Sequence, residues 1–333
     1  MVTEEIFMCK RFQKLSTSAV DRQLKKCGLP LLSEPNRSEN KEENKKPIVS
    51  TEIGSVSKFT GERVAVELVA KAGFDAWDFS MFSNMVLYDG RRKKILPNSH
   101  PLAGDNYLAF ARELRRIGED NGIFCNQSHA PFPSAVPEIR SYLKRALECT
   151  AEAGGKICVI HPCNNWGTEQ NAEMFFELLP FAKSCGVKIA TENMWNWDPK
   201  ALHAAPASCS DPKSFLDLLN AVNDDFFVAC LDLGHAEMKG LGTSAVEMIR
   251  ALGNKLAALH IHDNNKLLDS HQIPYSMNID FSPIVQALHD IGYAGEFTLE
   301  SDAYIKKRSL VKNLLEMHDV ARRMANDFAL SPR

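Results

Sequence analysis

The chain has 333 residues, 44% of them hydrophobic, and a formal net charge of -3. That length supports one large buried core, and the near-balanced charge leaves no global basic surface for holding a polyanion. No uninterrupted apolar run reaches the ~18 residues of a membrane-spanning helix, and Met1 to Leu15 carries charges where a signal peptide has its apolar core, so a cytoplasmic protein with no membrane partner is expected. The nine cysteines include no CxxC pair and mostly sit in apolar runs, which points to reduced, buried thiols and away from a thiolate zinc site.

In chain order, residues 1–46 stand apart from the rest. Val20 to Leu32 has the makings of a short helix, while Ser33 to Lys46 (SEPNRSENKEENKK) has nothing apolar to offset its ordering entropy. Residues 1–46 are therefore expected to be a largely disordered, dispensable extension, and 47–333 the folded domain. From Pro47 onward, short apolar runs alternate with longer segments of helical period, the pattern of a parallel sheet with crossover helices. The runs are Ile48 to Glu52, Phe74 to Ser80, Ile123 to His129, Ile157 to His161, Val187 to Glu192, Phe226 to Asp232, Leu256 to His262 and Glu296 to Glu300. Helical segments such as Gly61 to Ala72, Tyr107 to Glu119 and Ser282 to Ile291 lie between them. Glycines 73, 122, 186 and 292 fall where such helices stop. Eight strand–helix units fit an α/β fold, a closed (β/α)₈ TIM barrel in one domain, better than an open sheet.

The apolar runs stop at polar residues. Strands three to eight end in Ser128-His129, Ile160-His161, Thr191-Glu192, Leu231-Asp232, His260-Ile261-His262-Asp263 and Leu299-Glu300, and Gly234-His235 follows strand six. In a barrel those ends converge on one rim, where active sites sit. Ionisable tips are costly in a core, and converging carboxylates repel unless a cation stands between them. Imidazole plus carboxylate suits one divalent ion such as Mn²⁺, Zn²⁺, Co²⁺ or Mg²⁺. Taken singly, each histidine reads more simply as a hydrogen-bonded rim residue; six strand ends in succession do not.

With these residues the chain resembles the xylose-isomerase-like superfamily of sugar isomerases and epimerases, which also holds the apurinic endonucleases. The stretches that carry the resemblance are residues 73–78 (GFDAWD), 129–132 (HAPF), 161–162 (HP), 192–194 (ENM), 231–235 (LDLGH), 260–264 (HIHDN) and 299–300 (LE). The resemblance to ketose 3-epimerases implies one metal held by Glu192, Asp232, His260 and Glu300, with His262 left to a supporting or substrate-binding place. It implies further substrate contacts at His235, His129 and His161, and at Asp198 and Lys266, where the epimerases more often have Glu and Arg. Glu192 and Glu300 are then the pair that takes and returns the proton on carbon in aldose–ketose isomerisation or epimerisation. Trp195, Trp197 and Phe132 are candidate walls for a sugar face, and ordinary rim packing accounts for them equally well. Arg91 to Lys94 reads as a solvated basic loop more readily than as a phosphate receptor.

Two rivals accompany that expectation. An apurinic-endonuclease-like phosphodiesterase would use His129, His161, Glu192, Asp232, His235, His260, Asp269, His271 and Glu300, but residues 273–278 (IPYSMN) replace the glycine-rich turn expected after Asp269-x-His271. A dehydratase of the inosose type would share the fold and the metal. The expected partner is a small sugar, with no nucleic acid, and the residues leave a homo-oligomer open.

Overall fold

The computed structural model describes residues 14–36 and 46–331. Eight strands form its centre: β1 (Val49–Glu52), β2 (Ala76–Ser80), β3 (Phe124–His129), β4 (Ile157–Val159), β5 (Lys188–Glu192), β6 (Phe227–Asp232), β7 (Leu256–His260) and β8 (Phe297–Leu299). From β1 to β7 each pairs in parallel with the next, and β1 also pairs with β8. The ring closes between β7 and β8 through a parallel bridge from Ile261 to Leu299 and a bond from the Glu300 N–H to the Ile261 carbonyl (2.9 Å). The (β/α)₈ barrel is thus present, with every strand on the run assigned to it from sequence.

Long helices surround the strands: α2 (Glu62–Lys71), α3 (Tyr107–Asp120), α4 (Leu143–Glu152), α5 (Thr168–Cys185), α6 (Pro212–Val222), α7 (Ala245–Leu252), α8 (Phe281–Asp290) and α9 (Leu310–Leu330). Their boundaries follow local chemistry. Asp211 accepts from the backbone N–H groups of Lys213 and Ser214 and starts α6 at a proline whose missing donor costs nothing there. Gly186, with φ +65°, ends α5 in the left-handed conformation that disfavours a side chain. Strands buried on both faces explain the continuous apolar runs.

The segment before the barrel differs in part from expectation. A helix, α1 (Thr17–Lys26), precedes the first strand and buries Val20 and Leu24 in the main core. The Gln23 amide donates to the Lys307 carbonyl (3.1 Å) and accepts from the Val311 N–H (3.2 Å), while Lys71 donates to the Glu34 carbonyl (2.8 Å). Residues 14–36 are therefore packed on the domain; 1–13 and 37–45, most of the expected disordered stretch, lie outside the described residues. Two fully buried aliphatic side chains are worth roughly 1.5–3 kcal/mol each. Deleting residues 1–36 is accordingly expected to lower the melting temperature by roughly 5–15 °C. An unchanged melting curve would show that the α1 contacts contribute nothing.

Candidate metal centre

The C-terminal ends of β5 to β8 converge. Glu192 closes β5, Asp232 closes β6, His260 closes β7 and Glu300 follows β8. One ligand-type atom from each of the four lies within 4.8 Å of the others. His260 Nδ1 stands 3.2 Å from Glu192 Oε2 and 3.3 Å from Glu300 Oε2. Asn193 clamps the end of β6, accepting from the Asp232 N–H (2.7 Å) and donating to the Asp232 carbonyl (2.9 Å). Asp232 Oδ1 accepts from the His235 N–H (2.7 Å). Asp232 Oδ2 and His260 Nδ1 are buried without a hydrogen-bond partner. Buried polar atoms are nearly always satisfied, so unpartnered donors converging on one point fit a cation.

A second group lies beside the first. His235, His262, Asp269 and His271 also bring ligand-type atoms within 4.8 Å of one another. His235 Nδ1–H donates to the Asn193 carbonyl (2.9 Å) and His271 Nδ1–H to the Glu300 carbonyl (2.8 Å). In both rings Nε2 then faces Asp269 Oδ2 at 3.2 Å. A backbone carbonyl on one ring nitrogen is how metal-binding histidines are commonly oriented. The loop carrying Asp269 and His271 is ordered by Asp263, which accepts from the backbone of Asn264 (2.8 Å), Met277 (2.7 Å) and Ile279 (3.1 Å). A third set forms around Glu192 Oε2, with His161 Nε2 at 3.1 Å and His129 Nε2 at 3.5 Å. Those two ring nitrogens face each other at 2.8 Å, and Phe82 and Phe132 pack against His129 and His161.

The charges divide sharply. Burial works against ionised Glu192, but His260, His161 and His129 outweigh it and hold the carboxyl well below its usual range. Burial pushes Glu300 up to about 8, aided by the negative charges of Glu192 and Asp232. Burial and the neighbouring His161 lower His129 to about 4. His235 rises to about 10 despite burial, because Asp232 and Asp269 face it.

Other residues expected at the site have protein partners of their own. Asp198 accepts from the backbone of Lys200 (2.8 Å) and Ala201 (3.0 Å), closing the turn of a hairpin formed by Trp195–Asp198 and His203–Pro206. Both bonds fall on Oδ1 of the carboxylate. Lys266 is paired with Glu237 at 2.9 Å. His262 is fully buried, with Nε2 3.1 Å from Asp232 Oδ1 and 3.4 Å from Asp269 Oδ1. Trp195 does stand at the rim, its ring 6.4 Å from that of His235. Arg91 to Lys93 lie in the exposed turn between Leu87–Asp89 and Lys94–Leu96, Lys94 opens the second strand, and Arg92 is 3.6 Å from Asp89. Asp78 and Phe82 were given no role from sequence. An aspartate inside the apolar strand Ala76-Trp77-Asp78-Phe79 was the available signal for the first; nothing marks the second.

Gly234 shows how tightly the centre is built. A Cβ there would fall 2.0 Å from the His262 ring. Gly234→Ala is expected to push His262 off Asp232 and to lower both melting temperature and divalent-metal content. A variant with parent values for both would mean the loop gives way freely.

Comparison with known proteins agrees with this architecture. The uncharacterized protein MJ1311 of Methanocaldococcus jannaschii is 26% identical over 275 residues, covering 76% of this chain and 84% of its own. The uncharacterized protein y4fM of Sinorhizobium fredii is 30% identical over 258 residues, 64% of this chain and 79% of its own. Among solved structures, a D-tagatose 3-epimerase-like protein superposes with a TM-score of 0.57 at 22% identity, over 82% of this chain and 98% of that one. An L-ribulose 3-epimerase does so with a TM-score of 0.59 at 16% identity, over 85% and 97%. Among the described residues no helix is long and apolar enough to cross a membrane. Residues 66–322 match the xylose isomerase-like TIM barrel family, and with that match spanning most of the barrel the chain belongs to this family.

Proposed function

We propose that the protein is a divalent-metal-dependent isomerase or epimerase of a sugar or sugar phosphate. The observation that carries this is the Glu192, Asp232, His260 and Glu300 cluster at the ends of β5 to β8, with its buried, unpartnered donor atoms. Those four residues would hold the ion; when bound, it supplies Lewis-acid stabilisation of charge developing on neighbouring substrate oxygens. Glu192 and Glu300 reach the centre from different strands, so one takes the proton from carbon and the other returns it. His129 and His161 offer ring nitrogens to substrate oxygens, and burial keeps His129 uncharged. Phe82, Phe132 and Trp195 wall the rim and exclude water. A small-molecule sugar is the expected partner.

A second reading has its own support. The His235, Asp269 and His271 group, together with the His129, His161 and Glu192 group, gives a metal-capable surface wider than one ion needs. Such a surface suits a phosphodiesterase acting on abasic DNA. Metal analysis of the purified protein, followed by assays on a panel of ketoses, ketose phosphates, cyclitols and abasic duplex DNA, separates the two. Sugar turnover with one essential ion supports the isomerase; DNA incision without sugar turnover replaces it.

A further inference from the structure

Beneath the metal centre, inside the barrel, runs a chain of buried polar side chains. The Ser50 hydroxyl donates to Asn126 Oδ1 (2.7 Å), Asn126 Nδ2 donates to the Thr298 hydroxyl (2.9 Å), and that hydroxyl donates on to Gln127 Oε1 (3.4 Å). Gln127 Nε2 then donates to Asp78 Oδ2 (2.9 Å). The same nitrogen faces the Leu259 carbonyl at 3.5 Å, an atom that only accepts, which fixes the amide's direction. Asp78 Oδ2 lies 3.6 Å from His260 Nε2. All of these side chains are buried, Asp78 at 1% exposure, and neither Asp78 Oδ1 nor His260 Nε2 has another partner.

A carboxylate sealed in a barrel is costly unless something compensates it. No lysine or arginine is paired with Asp78 among the described ion pairs; its one ionic neighbour is the imidazole of His260. Because every other link in the chain points its donors toward Asp78, the aspartate is left as an acceptor, and a ring nitrogen facing it must carry the proton. The opposite nitrogen, Nδ1, then offers its lone pair between Glu192 and Glu300.

We propose that Asp78 is a positioning residue for the metal, taking the Nε2–H of His260 and turning Nδ1 toward the ion. The inference rests on the metal-dependent reading above and adds a residue from β2, on the far side of His260 from the other three expected ligands. Gln127 acts one step further back by orienting Asp78. A carboxylate behind a ligating imidazole both selects the tautomer and raises the ring's donor strength.

The test is titration of metal-free protein with Co²⁺, followed by visible absorption. Asp78→Asn keeps the shape, cannot carry the charge, and can itself donate to Nε2, which favours the wrong tautomer. Its Co²⁺ affinity is expected to fall about 10–100-fold, with altered ligand-field bands. The metal-free variant should melt at or above the parent temperature, because a buried charge has been removed. Equal affinity and an unchanged spectrum overturn the proposal, as does a loss of affinity matched by a lower melting temperature of the metal-free form. Should Asp78→Asn fail to fold, Gln127→Met decides: a smaller loss of affinity in the same direction supports the orienting chain, and none refutes it. In Zn²⁺-loaded parent protein labelled with ¹⁵N-histidine, His260 should carry its proton on Nε2; a proton on Nδ1 overturns the assignment. A parent that binds neither ion removes the metal reading itself, a failure distinguishable from loss in the variant alone.

Discussion

Asp232→Asn and His260→Ala should each lose most of their bound divalent metal, and turnover with it. Each change takes away one of about four ligands, and each residue sits where nothing else can replace it. Asp232 is clamped by Asn193, just after β5, and its Oδ2 has no other partner. His260 Nδ1 is held 3.2 and 3.3 Å from two carboxylates. Removing a mere supporting partner of a ligand costs roughly 10–100-fold in affinity, so removing the ligand should cost more. His262→Ala is expected to be the milder change, because Asp232 Oδ1 keeps its 2.7 Å bond from the His235 N–H when the buried ring is gone. Metal content by elemental analysis, after dialysis against a chelator and reloading, ranks the three. If His262→Ala loses more metal than His260→Ala, the ligand from β7 has been assigned to the wrong histidine.

Glu300→Gln should keep much of the substrate affinity and lose about 10²–10⁴ of the rate, the usual worth of a general acid or base. The amide still presents an oxygen to the centre but cannot take a proton. Glu300 follows β8 while Glu192 closes β5, so the two carboxyls reach the centre from different strands, as a two-carboxylate transfer needs. Measured kcat and KM for the Gln variant distinguish the roles: a fall confined to kcat supports proton transfer, while a rise in KM alone assigns Glu300 to binding.

Much of the barrel was legible because β-strand patterning and helix stops are local. The run Leu256 to His262 was recognisable without knowing its neighbours, and Gly186 marks a helix end by backbone sterics alone. The convergence of Glu192, Asp232, His260 and Glu300 was legible for a topological reason: in a parallel barrel the ends of all strands meet on one rim. What the sequence hid was orientation. Asp198 and Asp269 are both loop carboxylates, yet one folds back onto its own turn and the other faces two histidines. That difference arises in loop geometry, which spacing does not encode. The helix Thr17–Lys26 was visible as a helix, but its docking on the barrel depends on contacts with Lys307 and Val311, almost three hundred residues away.

The most direct test of the central claim is the fate of solvent hydrogen. Metal-loaded protein incubated with a converted ketose in deuterated water should place deuterium on the carbon next to the carbonyl, and the exchange should disappear in Glu300→Gln. Turnover of a sugar with no deuterium entering carbon would contradict proton transfer through Glu192 and Glu300 and would point to a hydride shift between the two carbons.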